Sequence, residues 1–84
     1  MKYTSDNILT LLQDIQRHIF GKVTMFINAY APTDDCVEIG RQINVCVFDI
    51  NDKARCFTFS DYNTEEQNRD LFLSMKEVIK EFGL

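Results

Sequence analysis

The chain has no tryptophan, one proline, three glycines and a single histidine among its 84 residues. So little proline and glycine excludes a low-complexity or intrinsically disordered chain. One histidine, with no C-x-x-C pair, is too few to complete the common zinc sets. Positive charge is also scarce: nine Lys plus Arg stand against 13 Asp plus Glu, a formal charge of −4. That balance opposes any binding that rests on neutralising phosphates, so nucleic acid is not an expected partner. No apolar run approaches the roughly 20 residues needed to span a bilayer. The first apolar stretch is interrupted by Gln13, Asp14, Gln16 and Arg17 and does not read as a signal peptide. An odd cysteine count, Cys36, Cys46 and Cys56, fits three reduced thiols and a cytoplasmic location.

What remains is a chain with 45% hydrophobic and 12% aromatic residues, including seven Phe. Residues 1–84 read as a single domain, short enough to fold alone with a thin margin.

Ile8, Leu11, Leu12, Ile15 and Ile19 recur at helical spacing, which predicts a helix from about Ser5 to Phe20. Thr4 or Ser5 can cap it, Asp6 suits the positive end of its dipole, and Gly21 marks its end. Lys22 to Tyr30 then alternates as a strand should, with Val23, Met25, Ile27 and Ala29 on one side. Ala31 to Asp35 is a connection. A second strand falls within Cys36 to Ile50, with Val37, Ile39, Ile43, Val45 and Val47 on one parity. Arg41 interrupts that series. Gly40 before it predicts a bulge or bend, the alternative being a turn between two short strands.

Asn51, Asp52 and Lys53 form the next turn signal. Loops of two and three residues differ in which side chains they place opposite one another. A loop over residues 51–53 sets Val47 against Phe57, Val45 against Phe59, Asp49 against Arg55 and Phe48 against Cys56. A two-residue loop would turn Phe57 and Phe59 away from the core, so the longer loop is expected. In that register Cys46 and Cys56 are not opposite each other, and no disulfide between them is expected. A second helix runs from Thr64 to Phe82, started by a capping box of Thr64 with Gln67 or Asn63 with Glu66.

The expected fold is therefore α+β, in the order α-β-β-β-α. A three-stranded antiparallel sheet carries both helices on one face. Its core would hold Ile8, Leu12, Ile15, Ile19, Val23, Met25, Ile27, Ile43, Val45, Val47, Phe57, Phe59, Phe72, Met75, Ile79 and Phe82. The other face would stay open. It carries Phe26, Tyr30, Cys46, Phe48 and Cys56 among Thr24, Asn28, Asn44 and Thr58. A solvated face should be mostly polar, so this aromatic content marks those five as candidate interaction residues.

Candidate chemistry is thin. His18 lies one turn from Asp14, but no Ser or Cys nucleophile is placed beside the pair. Asp49, Asn51 and Asp52 begin like a calcium loop, yet Ala54 and Ser60 stand where it needs Gly and Glu. No phosphate-binding loop, dinucleotide fingerprint or nucleophile elbow is present. No catalytic residue, metal, cofactor or small-molecule substrate is assigned, and an enzyme is not expected. The element order resembles that of double-stranded-RNA-binding domains in layout and length only. Such domains need Lys and Arg where this chain has Thr64-Glu65-Glu66-Gln67.

The leading expectation is a non-catalytic module that binds a protein partner, or itself as a homodimer, through the open sheet face. A second reading is an acidic inhibitor that occupies a basic, nucleic-acid-binding surface of its target. Its motive is the −4 charge with Asp34, Asp35, Glu38, Glu65 and Glu66.

Overall fold

A computed structural model describes residues 2–19, 21–31 and 39–84. Phe20, the 32–38 connection with Cys36, and the acidic residues Asp34, Asp35 and Glu38 lie outside the described residues. The elements run α1 (Ser5–His18), β1 (Val23–Tyr30), β2 (Gly40–Phe48), β3 (Ala54–Ser60) and α2 (Glu65–Glu81). The sheet has the order β1-β2-β3, antiparallel throughout. This is the α-β-β-β-α architecture expected from the pattern.

Local chemistry starts both helices. The Thr4 hydroxyl accepts from the Asn7 N–H at 3.3 Å and caps α1. At α2 the capping box is complete: Thr64 Oγ1 accepts from the Gln67 N–H at 3.1 Å, and Gln67 Oε1 accepts from the Thr64 N–H at 2.8 Å. Helix α1 ends at His18, earlier than its apolar pattern implied, and Gly21 takes the left-handed φ of +86° beyond it.

The core sits between the helices and one face of the sheet. Ile43, Val45, Val47, Phe57 and Phe59 from β2 and β3 are buried against Ile8 and Leu12 of α1 and against Phe72, Met75 and Val78 of α2. Ile15, Ile19, Met25, Ile79 and Phe82 are only partly buried around this centre. Ile27 departs further from expectation and is 48% exposed. It has the parity of the core, but it lies on the edge strand, beyond the cover that the helices give to β2 and β3.

The register of β2 on β3 also differs from expectation. Val45, not Val47, opposes Phe57, and Ile43 opposes Phe59. Asp49 donates its N–H to the Lys53 carbonyl at 2.9 Å, so the loop is Ile50, Asn51 and Asp52 rather than residues 51–53. Asp52 adopts a left-handed φ of 60°, which Asp tolerates better than most residues. Asp49 Oδ1 accepts from the N–H groups of Asn51 at 2.8 Å and Lys53 at 3.0 Å, an Asx arrangement that closes the turn. Its length is as expected, but sliding it one residue toward β2 moves every pair by two. The faces survive because the side-chain period is also two. The expected pairing of Asp49 with Arg55 does not form, since Arg55 opposes Val47.

No bulge forms at Gly40. The β1–β2 ladder is unbroken from Val23–Val47 to Tyr30–Gly40. The glycine answers to a close approach: a Cβ there would lie 2.8 Å from the Tyr62 ring and 3.0 Å from Asp61 Cβ.

Two polar arrangements tie the ends of the chain to the sheet. Buried Asn68 on α2 donates to the carbonyls of Tyr3 at 3.2 Å and Ser60 at 3.4 Å, and accepts from Asn63 at 3.1 Å. Arg41 reaches back to α1, donating to Ser5 Oγ at 3.0 Å and pairing with Asp6, while its backbone N–H donates to Asp61 Oδ2 at 2.7 Å. Ser5 in turn donates its hydroxyl to Asp61. The Asp6 pair is largely solvated and contributes little. Asp61 is the better-held group. The Ser5 hydrogen bond holds its carboxyl below the usual carboxylate range; burial opposes that shift, and the Arg41 N–H and charge add to it.

A depressed folded-state pKa stabilises the fold above the unfolded value, near 4, and that contribution is lost as pH falls through the folded one. Denaturant titrations of wild type should therefore lose stability on acidification from about pH 4 downward. Asp61→Asn should be less stable at neutral pH and show a shallower acid loss. An unchanged acid slope would show that Asp61 is not held in this way.

Candidate interaction face

Residues of even number on β1 and β2 point away from the helices. Level by level, Tyr30 opposes Gly40, Asn28 opposes Gln42, Phe26 opposes Asn44 and Thr24 opposes Cys46, with Phe48 beyond. On β3, Thr58 stands beside Asn44, Cys56 beside Cys46 and Ala54 beside Phe48. All five candidate residues share this face, but the aromatic ones are strung along it. Phe48 lies four residues from the Phe26 level, and Tyr30 four in the other direction, about 13 Å each at strand rise.

Between them lies a polar strip. Thr58 Oγ1 donates to Asn44 Oδ1 at 3.0 Å, and Asn44 Nδ2 donates to Gln42 Oε1 at 3.3 Å. These side chains partly satisfy one another, leaving the aromatic rings as the groups with uncommitted surface. Phe26 is 64% exposed, whereas Phe48 and Tyr30 are half-buried. Tyr30 packs edge-on against Tyr62, with ring centres 5.8 Å apart.

The cysteines overturn the sequence expectation. Cys46 and Cys56 are directly opposite and joined by a disulfide, with Cα atoms 4.1 Å apart. The two-residue change of register brings them together. It also puts Phe48 opposite Ala54 instead of Cys56. The short Cα separation is that of a non-hydrogen-bonded pair, where side chains approach most closely. Cys56 is exposed, so the bond lies on the surface in the middle of the face. The expectation of three reduced thiols does not hold.

Away from the face, His18, Asp14, Ile15, Ile19, Lys76 and Ile79 line a cleft of about 250 Å³ between the two helices. His18 Nδ1 lies 2.8 Å from the Asp14 backbone carbonyl, so the ring is held by the preceding turn and not by the Asp14 carboxylate. Among the described residues, no Ser, Thr or Cys lines the cleft. Among the described residues, no three His, Cys, Asp or Glu side chains are grouped to hold a metal ion, and no helix is long and apolar enough to cross a membrane.

Sequence reasoning missed the contacts of Arg41 with Ser5, Asp6 and Asp61. The available signal was Arg41 itself, which breaks the apolar parity of β2 and so points a cation toward the helix side of the sheet. Such a charge needs carboxylates nearby. Compared with protein families, curated proteins and solved structures, the chain matches none.

The cross-strand pairing predicts that unfolded, unreduced protein exposes one titratable thiol, not three. Reduction, or Cys46→Ala with Cys56→Ala, should cost about 2–3 kcal/mol, the chain-entropy contribution of a loop this short. Thiol titration in denaturant and unfolding curves with and without reductant check both. Three thiols without reductant would contradict the pairing.

Proposed function

We propose that the protein is a non-catalytic interaction module that binds another protein, or itself, through the open sheet face. Phe26, Tyr30 and Phe48 are the contacts, and the Cys46–Cys56 bond lies between them. The observation that carries this reading is Phe26, a large apolar ring 64% exposed on a sheet face where a solvated sheet would carry polar side chains. Protein interfaces combine a few aromatic anchors with polar surroundings, and this face has that composition. The polar strip of Gln42, Asn44 and Thr58 is compatible with it, since such groups supply register and hydrogen bonds at a rim.

The second reading, an acidic inhibitor of a nucleic-acid-binding protein, draws only on net charge. Three of its five acidic residues lie outside the described residues. A cytoplasmic location rested on reduced thiols, and the disulfide removes that support, because such bonds persist in oxidising compartments. We attach no compartment to the proposal.

Phe26→Asp and Phe48→Asp should each keep the far-UV circular dichroism of wild type. Each should weaken association through this face by about tenfold or more, as loss of a buried aromatic anchor does. Light scattering and cross-linking of purified protein, together with capture from extract, provide the measurement. If both variants associate as wild type does, the face is not the contact surface.

A further inference from the structure

β1 is one of the two edge strands, and its eight residues, VTMFINAY, include no charge and no proline. Exposed edges are normally blunted by charge, proline, a bulge or a covering element. The unbroken β1–β2 ladder rules out a bulge.

The direction of its backbone groups follows from one bond. Phe48 donates its N–H to the Lys22 carbonyl at 2.8 Å, so Lys22–Phe48 is a hydrogen-bonded pair. Alternation then turns Thr24, Phe26, Asn28 and Tyr30 toward β2, and turns Val23, Met25, Ile27 and Ala29 outward. Gln16 Nε2 donates to the Val23 carbonyl at 3.3 Å, which occupies the first outward acceptor. The outward groups of Met25, Ile27 and Ala29 have no hydrogen-bond partner among the described residues. The opposite edge differs. The outward carbonyls of Thr58 and Ser60 on β3 accept from Asn63 at 3.5 Å and Asn68 at 3.4 Å. Ala54 and Cys56 also keep outward groups without a partner among the described residues, but β3 carries Arg55, so the longer, uncharged run of such groups is on β1, where Ile27 is left 48% exposed on the helix side of the sheet.

We propose that β1 pairs antiparallel with β1 of a second copy, about a two-fold axis at Phe26, to make one six-stranded sheet. In that register Met25 faces the second copy's Ile27, Val23 faces Ala29, Thr24 faces Asn28, and the two Phe26 rings meet. Apolar residues oppose apolar ones, polar oppose polar, and no like charges meet. Met25 and Ile27 exchange their free N–H and carbonyl groups twice, once on each side of the axis. An axis at Met25 would set Phe26 against Thr24, and one at Ile27 would set Phe26 against Asn28, so either loses the pairing of the two Phe26 rings. This self-complementarity selects a second copy over an unrelated strand. Both helix pairs fall on the same side of the joined sheet and flank Ile27, while the two open faces become continuous. The edge pairing shares Phe26 with the open-face reading but needs neither Phe48 nor Tyr30, so Phe48→Asp tells the two apart.

An interface of this size falls below ~1,200 Å², so sedimentation from about 10 μM to about 1 mM should resolve a weak dimer. Ile27→Pro removes an outward N–H without touching the β1–β2 ladder, as proline on an edge strand allows. It should weaken the dimer about tenfold or more, through one bond lost on each side of the axis. Phe48→Asp, remote from the edge, should leave it intact. In wild type, the amide protons of Met25 and Ile27 should gain protection from exchange as concentration rises, a readout that does not depend on the variant folding. A wild type that stays monomeric throughout overturns the proposal, as does exchange at Met25 and Ile27 that ignores concentration. A dimer lost in Phe48→Asp but kept in a folded Ile27→Pro also overturns it, and assigns self-association to the open face.

Discussion

The turn at Asp49–Lys53 sets the register on which most other contacts depend. Asp49 accepts two backbone N–H groups through its side chain, and Asp52 enters the left-handed region to bring the chain back. Once Asp49 opposes Lys53, the remaining pairs of β2 and β3 follow by counting. Val45 meets Phe57 and Ile43 meets Phe59 at the centre of the core. Cys46 meets Cys56 on the other face. At the far end Asp61 donates its N–H to the Arg41 carbonyl at 3.0 Å, which places its carboxylate beside Ser5 and the Arg41 N–H. A single short turn thus positions core, disulfide and helix anchor together. The disulfide and the Asp61 contacts then hold the register at points away from the turn, so a slip would break several interactions at once.

The same arrangement leaves β1 poorly covered. Both helices draw their buried residues against β2 and β3, and Asn68 and Asn63 of the α2 region bond the outer edge of β3. On β1 only Val23, at the end nearest α1, is buried, and Gln16 bonds its carbonyl. Coverage declines along the strand through Met25 to Ile27 and Ala29. A three-stranded sheet under two helices has a central strand and two edges. This chain uses its helix region to shield part of one edge, while among the described residues little beyond Gln16 reaches the other.

Element order and face assignment were legible in the sequence because both depend on periodicity. The Ile8, Leu12 and Ile15 spacing and the Thr64–Gln67 capping box survive small errors of register. So does the alternation that sets Ile43, Val45 and Val47, and Phe57 and Phe59, on the core side. Pairing was not legible, because it depends on which residue adopts a positive φ. Asn51, Asp52 and Lys53 look alike as turn formers, and Asp52 was chosen by the Asx contacts of Asp49, a three-dimensional condition. The disulfide was missed for this reason alone: opposition of Cys46 and Cys56 is a statement about register. Ile27 was missed for another. Parity gives the side of the sheet a residue faces, but the reach of the helices across that side decides whether it is buried.

The open face gains meaning from what is missing on it. A sheet face that served only as solvated surface would gain solubility from charge, yet among Phe26, Tyr30, Cys46, Phe48, Cys56, Gln42, Asn44 and Thr58 there is no ionisable carboxylate or amine. The acidic residues that give the chain its charge lie elsewhere, at helix ends and turns such as Asp6, Asp49, Asp52, Glu65 and Glu66. Leaving charge off a face lowers the desolvation cost of covering it, since unpaired ions are the most expensive groups to bury. Amide and hydroxyl side chains that already bond one another, as Thr58, Asn44 and Gln42 do, are cheaper to cover than free ones. Exposed aromatic surface supplies the gain, and the uncharged, internally bonded polar strip keeps the cost low. That combination is the physical reason to propose binding here rather than in the cleft lined by His18 and Lys76, where a partner would have to desolvate charged side chains.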